Sequence, residues 1–110
     1  MICDPYDVVV VPFPFTDQTK TKRRPALIIS QKIFNQNGHS IAAMITTKSH
    51  SFWPGDTPLQ EPSLAGLHVP CMVRFKLFTL DNRLILKKIG HLSTHDKKQT
   101  SFQLHHCLAQ

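Results

Sequence analysis

Acidic residues are scarce in this chain of 110 residues. Asp and Glu number 7 against 13 Lys and Arg, for a formal charge of +6 and a pI near 9.6. A basic balance of this size points to nucleic acid, another polyanion or an acidic partner protein. Cysteine is scarce too. Cys3, Cys71 and Cys107 are an odd number, far apart, with no C-x-x-C spacing. That argues against a disulfide scaffold and against a zinc site, and it fits a reducing cytosol with cysteines as small buried fillers. No apolar run is long enough to span a bilayer, so no membrane role is expected. Met1-Ile2-Cys3-Asp4-Pro5 lacks the basic and apolar regions of a signal peptide. Repeats, low-complexity tracts and linkers are absent, and the length suits one domain over 1–110.

The apolar residues fall in short runs. Asp7-Val8-Val9-Val10-Val11-Pro12-Phe13 reads as a strand apolar on both faces, with prolines at its end. A second strand is predicted over 24–30 and a third over 40–47, separated by the turn signal Asn35-Gln36-Asn37-Gly38. Residues 50–70 hold six prolines and glycines at Pro54-Gly55, Pro58, Pro62, Gly66 and Pro70, so they read as a long loop with one short strand at Thr57-Pro58-Leu59. Residues 71–80 and 83–89 are predicted to pair as a hairpin around Asp81-Asn82. A helix is expected over 94–109, N-capped at Ser93-Thr94 and packed through a narrow stripe of Phe102, Leu104, Cys107 and Leu108. Many short strands, one long loop and a terminal helix make a mainly β, small, partly closed barrel with a C-terminal helix.

The chemistry concentrates where the first strand gives way to the second. A polar, basic loop over 16–22 leads into Arg23-Arg24-Pro25. Arginine presents a permanent charge and a planar fork that matches phosphate. Pro25 drives Arg24 into extended backbone, so its cation stands on a stiff element. Lys20, Lys22 and Arg23 are placed to track a phosphate backbone. Trp53, the single tryptophan, either anchors the long loop to the barrel or stacks on a base.

Six segments in order resemble the MazF/PemK family. They are Asp7 through Asp17, Arg23 through Ser30, Ala42-Ala43-Met44-Ile45-Thr46-Thr47, Trp53-Pro54-Gly55-Asp56, Val73-Arg74-Phe75-Lys76-Leu77-Phe78-Thr79-Leu80-Asp81, and Ile89-Gly90-His91-Leu92-Ser93. The resemblance implies an SH3-like barrel, shared with the gyrase-poisoning toxin CcdB, and a homodimer. It implies a cytoplasmic endoribonuclease toxin of a type II toxin–antitoxin pair, with an RNA substrate, no metal and no cofactor. It further implies a small cognate antitoxin and, through that complex, operator DNA. On this resemblance Arg24, Thr46 and Arg74 are the catalytic candidates. Asp17, Gln18, Lys20, Lys22, Arg23, Trp53 and Lys76 are the substrate-binding candidates.

The sequence departs from the family pattern at three places. One branch carries an acid two residues beyond the arginine at Arg74, where this chain has Lys76, and a histidine in the loop after the first strand, where this chain has Asp17, Gln18 and lysines. The family usually carries glycine before the acid that opens the first strand, where this chain has Tyr6-Asp7. Metal-free RNA cleavage needs a base for the 2′-OH, charge stabilisation for the phosphorane and a proton for the leaving 5′-oxygen. Arg24 suits the second task. The base stays open between Asp17, whose plain role is a solvated loop carboxylate, and a histidine such as His50 or His68. His105 and His106 are adjacent on a helix and point apart, so they make a poor metal pair. Two rivals stand beside the enzyme: an RNA- or antitoxin-binding module that has lost its base, and a CcdB-like topoisomerase-targeting toxin.

Overall fold

The computed structural model describes residues 1–13, 22–47 and 51–109. Six strands form one antiparallel sheet: β1 (Asp7–Phe13), β2 (Lys22–Ile28), β3 (His39–Thr47), β4 (Thr57–Pro58), β5 (Cys71–Asp81) and β6 (Lys87–His91). Their order is β4-β5-β3-β2-β1-β6, and the sheet curls into a half-barrel. A one-turn helix, α1 (Lys32–Asn35), links β2 to β3, and α2 (Thr94–Cys107) closes the chain.

Strand β1 is apolar throughout because both of its faces are covered. Val8 packs with Leu27, Ala43, Ile45, Val73 and Leu92 in one core. Val9 and Val11 pack with Ala26, Ile28, Ala42 and Ile85 in the other. The side-chain period of two sends neighbouring valines to opposite faces, and each fully buried valine contributes about 1.5–3 kcal/mol.

The predicted hairpin between 71–80 and 83–89 does not form. β5 pairs with β3 and β4, while β6 crosses to the far edge and pairs with β1. Asn82 explains the difference. It is a buried polar hub rather than an exposed turn residue. Its Nδ2 donates to Asn35 O at 2.6 Å, and its Oδ1 accepts from Ser40 Oγ at 2.6 Å. The chain turns through a 3-10 segment, Asn82–Leu84, capped by Asp81, and Ile85 then enters the second core.

Other boundaries shift for similar reasons. β2 begins at Lys22 and stops at Ile28, because the Ser30 hydroxyl is committed to Asn35 Oδ1 and accepts from Ile41 N at 2.9 Å. The expected turn at 35–38 follows α1, with Gly38 at φ +100°. Helix α2 is capped by Ser93, as expected, but its predicted apolar stripe is not what docks it. Phe102, Cys107 and Leu108 are exposed, and Leu104 alone of the four packs against a core. Asp96 and Thr100 are buried instead. The Asp96 carboxylate accepts from Gln60 N at 2.8 Å and Glu61 N at 3.0 Å, so the helix is tied down by charge-assisted hydrogen bonds to the long loop.

Two positions carry unusual backbone. Gly90 lies so close to the 62–66 turn that a Cβ there would stand 2.5 Å from Leu64 O. Tyr6, where the family usually has glycine, sits at φ +69°. A side chain in that region costs about 1–2 kcal/mol. Hydrogen bonds from Tyr6 N to Ile28 O at 2.6 Å and from Leu92 N to Tyr6 O at 3.1 Å hold it there.

Candidate functional site

Strand register brings the candidate residues together. Val11 stands opposite Arg24, so Arg24 projects from the outer half of β2. Between β3 and β5 the pairing shifts: Ala43 faces Leu77, but Met44 faces Arg74. The extra residues on β5, Phe75 and Lys76, form a bulge, a device that bends a strand and re-aims its side chains. Arg74 and Lys76 thereby meet Thr46 of β3 and Arg24 of β2 around one cleft of ≈ 180 Å³, completed by Phe13, Met44 and Ile45. Thr46 lines this cleft and Thr47 does not, so the pairing settles which of the adjacent threonines faces it.

The cations of the cleft differ in their surroundings. Arg24 is exposed, and among the described residues no acid pairs with it. The Arg74 side chain is only 11 % exposed, and its fork is filled. Nε donates to Asp56 Oδ1 at 3.1 Å and Nη2 to Asp56 Oδ2 at 2.9 Å. Nη1 donates to Ser51 Oγ at 3.1 Å and Nη2 to Ser51 O at 3.2 Å. The hydrogen-bonded Asp56 carboxylate pushes the Arg74 guanidinium further up, so it stays charged at every working pH. Arg74 therefore ties the 51–56 segment to β5 and offers a fixed positive edge to the cleft.

Lys76 stands over the Trp53 ring, its Nζ 4.7 Å from the centroid. Trp53 is partly buried beside Phe75, which fits the anchoring role; its ring also holds the Lys76 ammonium by cation–π attraction. Lys22 and Arg23 are exposed at the start of β2, opposite Phe13 and Pro12, and neither lines the cleft. Asp17, Gln18, Lys20 and His50 lie outside the described residues. Among the described residues the cleft lining holds neither a carboxylate nor a histidine, and His68 lines a separate groove beside Pro70. No group of His, Cys, Asp or Glu suited to a metal ion occurs among the described residues.

Asp56 was legible as part of Trp53-Pro54-Gly55-Asp56, but nothing in the sequence assigned it to Arg74. The signal was an acid just after a Pro-Gly turn, in a chain with few acids to spare.

The chain is a small β protein, a curled half-barrel in which two arginines, a threonine and a lysine converge on one cleft beside a strand bulge. The family model described as PemK-like, MazF-like toxin of type II toxin-antitoxin system matches residues 4–108, and the chain belongs to that family. No curated protein matches the chain. Among solved structures it is similar to a MazE-MazF crystal structure from Deinococcus radiodurans, at TM-score 0.76 and 20 % identity over 97 % of this chain and 96 % of that one. It is also similar to an endoribonuclease in complex with its cognate antitoxin from Mycobacterial species, at TM-score 0.72 and 13 % identity over 96 % and 91 %. The Mycobacterium tuberculosis toxin MazF-mt6 matches at TM-score 0.72 and 18 % identity over 91 % and 93 %. At these identities the likeness establishes the fold.

Proposed function

We propose that this chain is a sequence-selective endoribonuclease that cuts single-stranded RNA without a metal, acting as the toxin of its toxin–antitoxin pair. The observation that carries this is the convergence of Arg24, Thr46, Arg74 and Lys76, from three strands, on one cleft. In the proposed reaction the 2′-oxygen attacks the adjacent phosphorus and gives up its proton. The P–O5′ bond breaks, and the leaving 5′-oxygen takes a proton. The products are a 2′,3′-cyclic phosphate and a 5′-OH. Arg24 holds two equatorial oxygens of the phosphorane as its charge develops. Thr46 donates a hydrogen bond to the phosphate; a hydroxyl is not a base at neutral pH. Arg74 acts mainly by position and field, because four of its five N–H donors are engaged by Asp56 and Ser51. Lys76 adds a cation at the rim. The base stays open between Asp17 and a histidine such as His50.

The partners proposed are a second copy of the chain, a small antitoxin whose acidic segment covers the basic surface, and operator DNA reached through the antitoxin. No helix among the described residues is long and apolar enough to cross a membrane, and the proposed compartment is the cytoplasm.

Induced expression in a bacterial host tests the toxin role. Growth arrest that Arg24→Ala relieves at equal protein level supports it; equal growth with and without the wild-type protein contradicts it. Lys76, in place of an acid, favours one second reading: a binding module that retains RNA or antitoxin affinity without turnover.

A further inference from the structure

A second recess lies between the turn before β1 and the C-terminal helix. Its lining is Tyr6, Lys97, Lys98, Ser101, Phe102 and His105, and it shares no residue with the Arg24 cleft. The five helical positions fall on one face of α2, since residues three and four apart are neighbours. Two aromatic rings and two lysines therefore face a recess of ≈ 430 Å³.

Tyr6 is half-buried and packs against the first core, while Phe102 packs against neither core. Tyr6 occupies a left-handed backbone position at φ +69°, where glycine would be free of strain. Strain held at a single residue is characteristically tied to function. The Lys97 ammonium stands 5.9 Å from the Tyr6 ring centroid, so ring and charge are presented together. Phe102 is 57 % exposed on a mostly polar helix. The His106 ring meets Phe102 at a tilt of 40° with centroids 4.3 Å apart, and His106 lines a different groove.

We infer that this recess is a second contact site for single-stranded nucleic acid. A base stacks on Phe102 or Tyr6, and the neighbouring phosphates meet Lys97 and Lys98. An exposed ring, Phe102, beside a half-exposed one, Tyr6, and two exposed lysines supplies the two elements that sequence-tolerant single-strand binding uses. An acidic peptide would need the lysines but not the rings, which is why nucleic acid is favoured. Such a site would hold a strand outside the cleft and lengthen its stay on the protein. It extends the RNA reading proposed above, yet it does not depend on cleavage.

The test uses a labelled single-stranded RNA with 2′-O-methyl groups, which no 2′-OH attack can cut. Binding is measured against salt for the wild type, Lys97→Ala/Lys98→Ala, Phe102→Ala and Tyr6→Gly. Phe102→Ala removes an exposed ring, so it reads binding even where Tyr6→Gly fails to fold. The expected result is affinity about tenfold lower for Phe102→Ala, the worth of one lost stack. The double lysine variant should lower the slope of log affinity on log salt by roughly 0.7 per lysine. A 4-thiouridine strand should crosslink to Tyr6 or Phe102. Unchanged affinity and slope in both variants would overturn the site. So would Lys97- and Lys98-dependent binding of a poly-glutamate peptide with RNA affinity unaltered. Uncut unmodified RNA, scored separately, would count against the ribonuclease reading alone.

Discussion

Arg24 and Arg74 carry the same charge in opposite circumstances. Arg24 is exposed at the cleft, and Arg74 is sunk beneath it with every nitrogen engaged. They should therefore fail differently. Arg24→Ala removes charge stabilisation at the phosphorus and should lower kcat about 10²–10³-fold, with little change in melting temperature. Arg24→Lys keeps the charge but loses the fork, and should recover only part of the rate. Asp56→Ala leaves the Arg74 guanidinium without its carboxylate partner and frees the 51–56 segment. That variant should melt at lower temperature and lose up to about 10²-fold in kcat through misplacement. Calorimetry and single-turnover kinetics on both variants separate the two roles. The place of Arg24 on β2 was legible because a proline follows it, and its candidacy came from the family resemblance. The partner of Arg74 was not, because the contact joins residues 18 apart through a loop whose path only the fold determines.

At the scale of elements, the runs with a clear period were read correctly and the polar junctions were not. The valines of β1, the Ala-Ala-Met-Ile run of β3 and the Ser93 cap of α2 follow local rules. The hairpin failed because Asp81-Asn82 looks like a solvated turn while Asn82 is bonded to Asn35 and Ser40, over 40 residues away. Helix α2 was mispredicted in its docking because Asp96, an acid, is what it buries. Asp81 offers a pH test of this junction. Hydrogen bonds from the Arg83 side chain and backbone lower its carboxyl to about 2. A lowered folded-state pKa contributes stability above the ordinary carboxylate range, and that contribution is lost as pH falls from about 4 through 2. Carboxyl-carbon NMR should show Asp81 titrating near 2, and Arg83→Ala should return it toward the ordinary range. Gly90→Ala should destabilise by about 1–3 kcal/mol in denaturant melts, since a Cβ would press on the Leu64–Ala65 backbone.

For the whole molecule, the curl of the sheet decides what the sequence could only order. Four motifs along the chain meet at one cleft because β2, β3 and β5 are neighbours and a bulge turns Arg74 and Lys76 toward Thr46. The order of motifs was readable; their convergence depends on strand pairing that no local rule supplies. The same packing sorts the thiols. Burial pushes Cys3 and Cys71 up, while Cys107 is exposed on α2. A thiol reagent should label Cys107 at once in the native protein, and Cys3 and Cys71 only on unfolding. The central claim is that this cleft cuts RNA by its own side chains. Its most direct test is incubation of the purified protein with a long single-stranded RNA in EDTA, beside Arg24→Ala, with both product ends mapped. Discrete fragments ending in 2′,3′-cyclic phosphate and 5′-OH, lost in the variant, are the predicted result. Intact RNA under wild-type protein that binds it in a salt-sensitive way would contradict the claim and leave a binding module.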